Sequence, residues 1–199
     1  MPIMTVQEVT RDQIKDIAEY EKVRAAWRKE IIKLKKRRRV SVGSNLTFLF
    51  ENPETVRFQV QEMMRAERIV HDDAIQRELD VYNQLLPSED NELAATMFIE
   101  ITDQDMVKEV LDSLMGIDNG DYVFMTIGDS KVPANFESGH SSDIKLSAVH
   151  YVRFKLTPEQ AKAFCDVTQE VVLVAAHPNY RAIEVISKEA RHALIEDLS

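Results

Sequence analysis

An α+β fold is predicted by three features of the sequence. Two long stretches in the first half carry apolar residues at helical spacing, several short stretches alternate with period two, and from residue 93 the elements follow in the order β-α-β-β-α-β-α. That order is the split βαβ arrangement of a ferredoxin-like domain, with helices on one face of an antiparallel sheet. The expected organisation is a segment of long N-terminal helices with a β-hairpin over residues 1–90, packed on a ferredoxin-like α+β domain with a C-terminal helix over residues 91–199. One integrated domain is the alternative.

Each element has a local cause. Thr10 and Gln13 have the form of a capping box, and Ile17, Tyr20, Val23, Trp27, Ile31 and Leu34 then recur at helical spacing, predicting a helix from about residue 10 to about residue 36. Val40 and Val42, the turn Gly43-Ser44-Asn45, and Leu46, Phe48 and Phe50 predict a hairpin. Asn52 and Pro53 open a second long helix that Pro87 ends. Leu93 to Ile101 alternates as a strand, Thr102 to Leu114 reads as a helix stopped by Gly116, and Tyr122 to Ile127 is a strand. Residues 128–143 show little periodicity and are expected to form the longest loop. Alternation returns from Ile144 to Leu156, and Thr157-Pro158-Glu159-Gln160 starts a short helix. Val171 to Ala175 is a last strand, His177-Pro178-Asn179 breaks it, and Ile183, Ile186, Ala190 and Leu194 mark a closing helix.

Composition narrows the function classes. Cys165 is the only cysteine, which excludes thiolate zinc sites and cysteine-ligated clusters within one subunit and fits a reducing compartment. The first residues lack the pattern of a secretion signal and no apolar run is long enough to span a bilayer, so a cytoplasmic protein with no membrane partner is expected. A net charge of −9 repels the nucleic-acid backbone and makes nucleic acid an unfavoured partner.

Several polar residues stand out against these patterns. Lys33, Lys35, Lys36, Arg37, Arg38 and Arg39 form a basic cluster suited to an acidic partner or an anionic ligand, unless they only offset the C-terminal charge of the first helix. On the second helix Glu67, His71 and Glu78 fall in the same stripe as Val56, Val60, Met63, Val70, Ala74, Val81 and Leu85. Carboxylate and imidazole groups facing inward are raw material for a transition-metal site, although the paired Glu-x-x-His motifs of a di-iron bundle are absent. Pairing with arginines at the core edge is the alternative. His150 sits on an apolar strand face, either as a further metal ligand or general base beside His140, or as a hydrogen-bonded core residue. Arg153, with Lys145, Lys155 and Tyr151, makes a modest basic stripe, and His177, Asn179 and Arg181 lie at a strand-helix junction suited to an anion. Cys165 has the look of a packing residue.

No recognised nucleophile elbow, phosphate loop, dinucleotide fingerprint or zinc motif occurs. The segments KRRRVSVGSNLTFLFENPETVRFQVQEMMRAERI, ELDVYNQLLP, SAVHYVRFKLT and AAHPNYRA together resemble an uncharacterised bacterial family, the domain of unknown function numbered three-five-zero-one, over nearly the whole chain. Its members are often encoded beside a rubrerythrin-like protein and a cysteine-rich iron-sulfur oxidoreductase, so the resemblance implies a role in redox or peroxide-stress metabolism. The expected function is therefore a non-catalytic accessory protein with a redox partner. A metal-dependent enzyme or metal sensor and an anionic small-ligand binder are the alternatives. Tyr20, Trp27 and Ile31 on the first helix need a cover, either the second helix or another subunit, so a homodimer is a further expectation.

Overall fold

The structure, a computed structural model, describes residues 8–119, 121–137 and 146–198. After a 3-10 turn, Arg11–Gln13, come α1 (Ile17–Arg37), the hairpin β1 (Arg39–Val42) and β2 (Leu46–Phe50), then α2 (Pro53–Glu67) and α3 (Asp72–Asn83). The second half holds β3 (Glu92–Ile99), α4 (Val107–Ser113), β4 (Val123–Ile127), β5 (Ser130–Phe136), β6 (Val149–Lys155), α5 (Pro158–Cys165), β7 (Val171–His177), β8 (Tyr180–Val185) and α6 (Lys188–Ile195).

The ferredoxin-like expectation is overturned. All eight strands join one antiparallel sheet in the order β1-β2-β3-β6-β5-β4-β7-β8, curled into a nearly closed barrel. Two strands account for the difference. Gly128, at φ +54, and Asp129 make the two-residue turn into β5, where a loop was expected. Pro133 fits in β5 because the β5–β6 pairing ends at Ala134, so its missing N–H interrupts no ladder. Pro178 and Asn179 turn β7 directly into β8, so no helix begins at Asn179.

The expected second helix divides in two. Arg68 adopts a left-handed conformation, φ 55 and ψ 40, that stops α2, and His71 then caps α3 in an extended conformation. The break lets Ile75 and Leu79 of α3 pack with Val56, Val60 and Met64 of α2 and with Val9 and Ile14. Helix α1 lies on α2 through Tyr20, Trp27 and Phe58, whose rings meet edge to face at 5.6 and 5.9 Å. The apolar residues of α1 that suggested a dimer are thus largely covered within the chain.

Inward residues of the strands fill the barrel. Phe48, Phe50, Met97, Met125, Phe154 and Leu173 are almost wholly buried there, with Leu114, Phe164 and Leu194 added from and beside the C-terminal-half helices. Eight strands enclose only enough room for such side chains, so the interior is a packed core. Arg38 closes the fold: its guanidinium donates to the carbonyls of Phe50 (2.8 Å), Ala193 (2.8 Å) and Glu51 (3.2 Å) and pairs with Asp197. It therefore ties the end of β2 to the Ala193 carbonyl in the last turn of α6 and to Asp197 just beyond it.

Candidate functional site

The two walls of the barrel differ in what covers them. On β2 and β3 nearly every residue is buried, because inward side chains meet the core while Thr47, Leu49, Ala94 and Thr96 lie beneath other chain on the outside. On β4 and β7 only alternate residues are buried.

Beneath the covered wall lies a polar network. Glu51, itself buried, accepts hydrogen bonds from Thr55 Oγ1 (2.5 Å) and Thr96 Oγ1 (2.7 Å). Arg153 donates to Glu92 (2.6 Å), Glu137 (3.1 Å) and the carbonyl of Leu86 (2.8 Å). Burial first, then the neighbouring Tyr82, and then Glu51 and Glu137 push the Tyr151 phenol upward. The seam between the end of α3 and these strands, lined by Gln84, Leu85, Thr96, Glu137, Tyr151 and Arg153, is too narrow to hold a water molecule. Arg153 bonds Glu137 and the Gln84 carbonyl, and Thr96 bonds Glu51, so the network joins the helices to the sheet.

The bare wall is different in kind. Register places Phe124, Val174 and Ile183 in one row across β4, β7 and β8, and Thr126, Val172 and Val185 in the next. Ile183 is 69% exposed and Val185 48%, among the most exposed large apolar residues described. A shallow hollow of about 480 Å³ lies against this face, lined by Val174, Ala175, Ala176, Arg181, Ala182 and Ile183. Arg181 is exposed and, among the described residues, makes no ion pair. An apolar surface bordered by one uncommitted guanidinium can hold apolar side chains and a carboxylate.

The residues singled out from sequence are scattered. Of the basic cluster, Arg38 is buried in structural contacts, Lys33 pairs with Glu30, Arg39 lies 3.7 Å from Glu100, Lys35 stands over the Phe58 ring, and Lys36 and Arg37 remain exposed. Arg153 is a structural anchor. His177 accepts the Asn179 N–H on Nδ1 (3.3 Å), so Nε2 carries the proton and donates to the Met115 carbonyl (3.1 Å). Asn179 itself donates to the Ser113 carbonyl, and with no helix N-terminus at this turn the expected anion site loses its free amides. Arg181 alone of that group lies in the hollow.

The four residues expected to gather around a metal are not brought together. Glu67 and His71 are exposed on either side of the break between α2 and α3, and Val70 and Val81, expected to face inward with them, are 64% and 59% exposed. Glu78 is half-buried on α3. His150 is buried on β6, where Nε2 donates to the Ser147 carbonyl (2.8 Å), the ring meets Phe136 edge to face, and Nδ1 lies 3.8 Å from Asp118. Among the described residues no group of three or more His, Cys, Asp or Glu side chains is placed to hold a metal ion. His140 and Lys145 lie outside the described residues. Cys165, expected in the packing, is exposed at the end of α5.

The family model described as a protein of unknown function, DUF3501, matches residues 8–198. The chain belongs to that family. It is also similar to a protein of unknown function from Burkholderia pseudomallei K96243, solved as a crystal structure. The two share 33% identity and a TM-score of 0.88 over 97% of this chain and 100% of that one. A comparison with curated proteins finds no match. Among the described residues no helix is long and apolar enough to cross a membrane.

Proposed function

We propose that this chain is a non-catalytic, cytoplasmic accessory protein that docks onto a protein partner in a redox or peroxide-stress system. The observation that carries the docking is the bare apolar wall of β4, β7 and β8, bordered by Arg181. The buried polar groups support it from the other side, since Glu51, Arg153 and His177 are engaged in contacts that hold elements together. A redox partner is favoured by the family's gene neighbours, and a single exposed cysteine gives the chain no cluster of its own.

The test is affinity capture from native cells after mild cross-linking, with wild type and Val174→Lys as baits. Recovery of a redox protein near stoichiometry with wild type, and its loss with Val174→Lys at unchanged thermal stability, is the expected result. Recovery of no redox protein by wild type overturns the proposal.

A further inference from the structure

The sheet ends at β1 and β8, and among the described residues no backbone ladder joins them. Among the described residues, the side-chain hydrogen bonds that hold them near each other lie at one end. There the Tyr180 hydroxyl donates to the Val42 carbonyl (2.6 Å) and accepts the Asn45 N–H (3.0 Å). Gly43, at φ +69, packs against the inward side of β8: a Cβ built on it would lie 2.8 Å from that of Ala182.

The hydrogen-bond phase shows which groups face the gap. Ile186 N–H donates to the Val171 carbonyl, so Tyr180, Ala182 and Glu184 direct their backbone groups to β7. Arg181, Ile183 and Val185 direct theirs to the open edge, and their side chains point to the bare wall. The opposite edge is blunted. Phe50 N–H donates to the Arg38 carbonyl, which leaves only Arg39 and Ser41 facing outward on a four-residue strand. Edge strands in soluble proteins are normally protected by lysine, proline, bulges or shortness. The six-residue edge of β8 carries two exposed β-branched apolar residues beside the charged Arg181 and Glu184.

We infer that this edge binds an extended segment of a protein partner by strand addition, with apolar residues at alternate positions and a carboxylate set against Arg181. Three residues of β8 supply main-chain donors and acceptors, and the hollow beside Ile183 receives the alternate side chains. Charge selects the occupant. In any antiparallel register that brings the outward backbone groups of two copies together, Arg181 faces Arg181, Ile183 or Val185 of the other copy and never a carboxylate. Two chains of net charge −9 also repel. An apolar strand from another protein that sets a single carboxylate against Arg181 supplies the counter-charge that a second copy lacks, without adding a second strongly negative chain.

The inference rests on the docking proposal above and names its mode. It is tested by panning a phage-displayed random peptide library on the full chain, with Ile183→Pro, Arg181→Glu and Ile183→Val as comparisons. Proline at 183 removes an outward N–H while leaving the β7 ladder intact, so the fold persists and thermal melting verifies it. Selected peptides are expected to alternate apolar residues with Asp or Glu, and to bind wild type about tenfold or more tighter than Ile183→Pro or Arg181→Glu. Ile183→Val should bind within about twofold of wild type. Absence of enrichment, equal binding by Ile183→Pro, or a dimer in sedimentation that Ile183→Pro dissociates overturns strand addition. If Val174→Lys loses the native partner and Ile183→Pro keeps it, docking stands and the strand mode falls. If peptides select on β8 while native cells yield no redox protein, the edge site stands and the redox role falls.

Discussion

The wall of β2 and β3 and the wall of β4, β7 and β8 belong to one sheet, yet they solve the problem of the outer face in opposite ways. The first is covered, and its cover brings buried charge with it: Glu51 and Glu92 lie under the helices and are matched by hydroxyls and by Arg153. The second keeps its core on one side only and leaves Val174, Ile183 and Val185 outside. Residues of similar chemistry therefore contribute to stability on one wall and are available for binding on the other. The difference shows that apolar content does not identify a core; the second layer does.

The sharpest way to break the covered wall is Arg153→Ala. It leaves the Glu92 carboxylate buried without its cation, and chemical denaturation should show a loss of about 3–5 kcal/mol. Replacing both partners, as Arg153→Met with Glu92→Leu, should recover much of that loss, because no charge is then left unpaired. Next in size is a matched pair of truncations read by the same method. Leu79→Ala, in the helical cluster, should cost about 2–5 kcal/mol, and Ile183→Ala on the bare wall less than about 0.5 kcal/mol.

Acid sharpens the contrast further. The Arg24 guanidinium, bonded to both Glu62 oxygens at 2.7 and 2.8 Å, holds that carboxyl below its ordinary value despite partial burial, and the Tyr20 hydroxyl adds a further bond. A carboxylate whose pKa is lowered by folding stabilises the protein above its unfolded pKa of about 4.3 and loses that contribution as pH falls through the folded value. Thermal melts at neutral pH and near pH 4 should therefore show a smaller acid-induced drop for Glu62→Gln than for wild type. The smallest effect is expected at His71. His71→Ala, at an exposed position between α2 and α3, should change stability by less than about 0.5 kcal/mol and leave metal content by elemental mass spectrometry unaltered.

Much of the local structure was legible. The helix starts at Asn52-Pro53 and Thr157-Pro158 and the β1–β2 turn all appear where their residues require them. The misses have identifiable causes. Arg68 is neither glycine, asparagine nor proline, so nothing in its chemistry announced the left-handed residue that divides α2 from α3; packing of both onto one cluster decided it. Ile183 and Ile186 fit a helical period as well as a strand, and only pairing with β7 settled which applied. Of the candidate site, Arg181 was visible, whereas Val174 read only as part of a strand and Ile183 as part of the closing helix, because an apolar residue carries no mark of which face will be covered.

By itself the sequence determined the capped helix starts, the tight turns, the single unpaired cysteine and an acidic surface, since these follow from backbone preferences and charge within a few residues. Only the tertiary structure decided that eight strands curl into one nearly closed barrel, that Arg38 is an internal clasp and that the edge of β8 stays open. Those outcomes, the open edge among the described residues included, depend on contacts between segments far apart in the chain, and no local pattern encodes which surface a distant helix will cover.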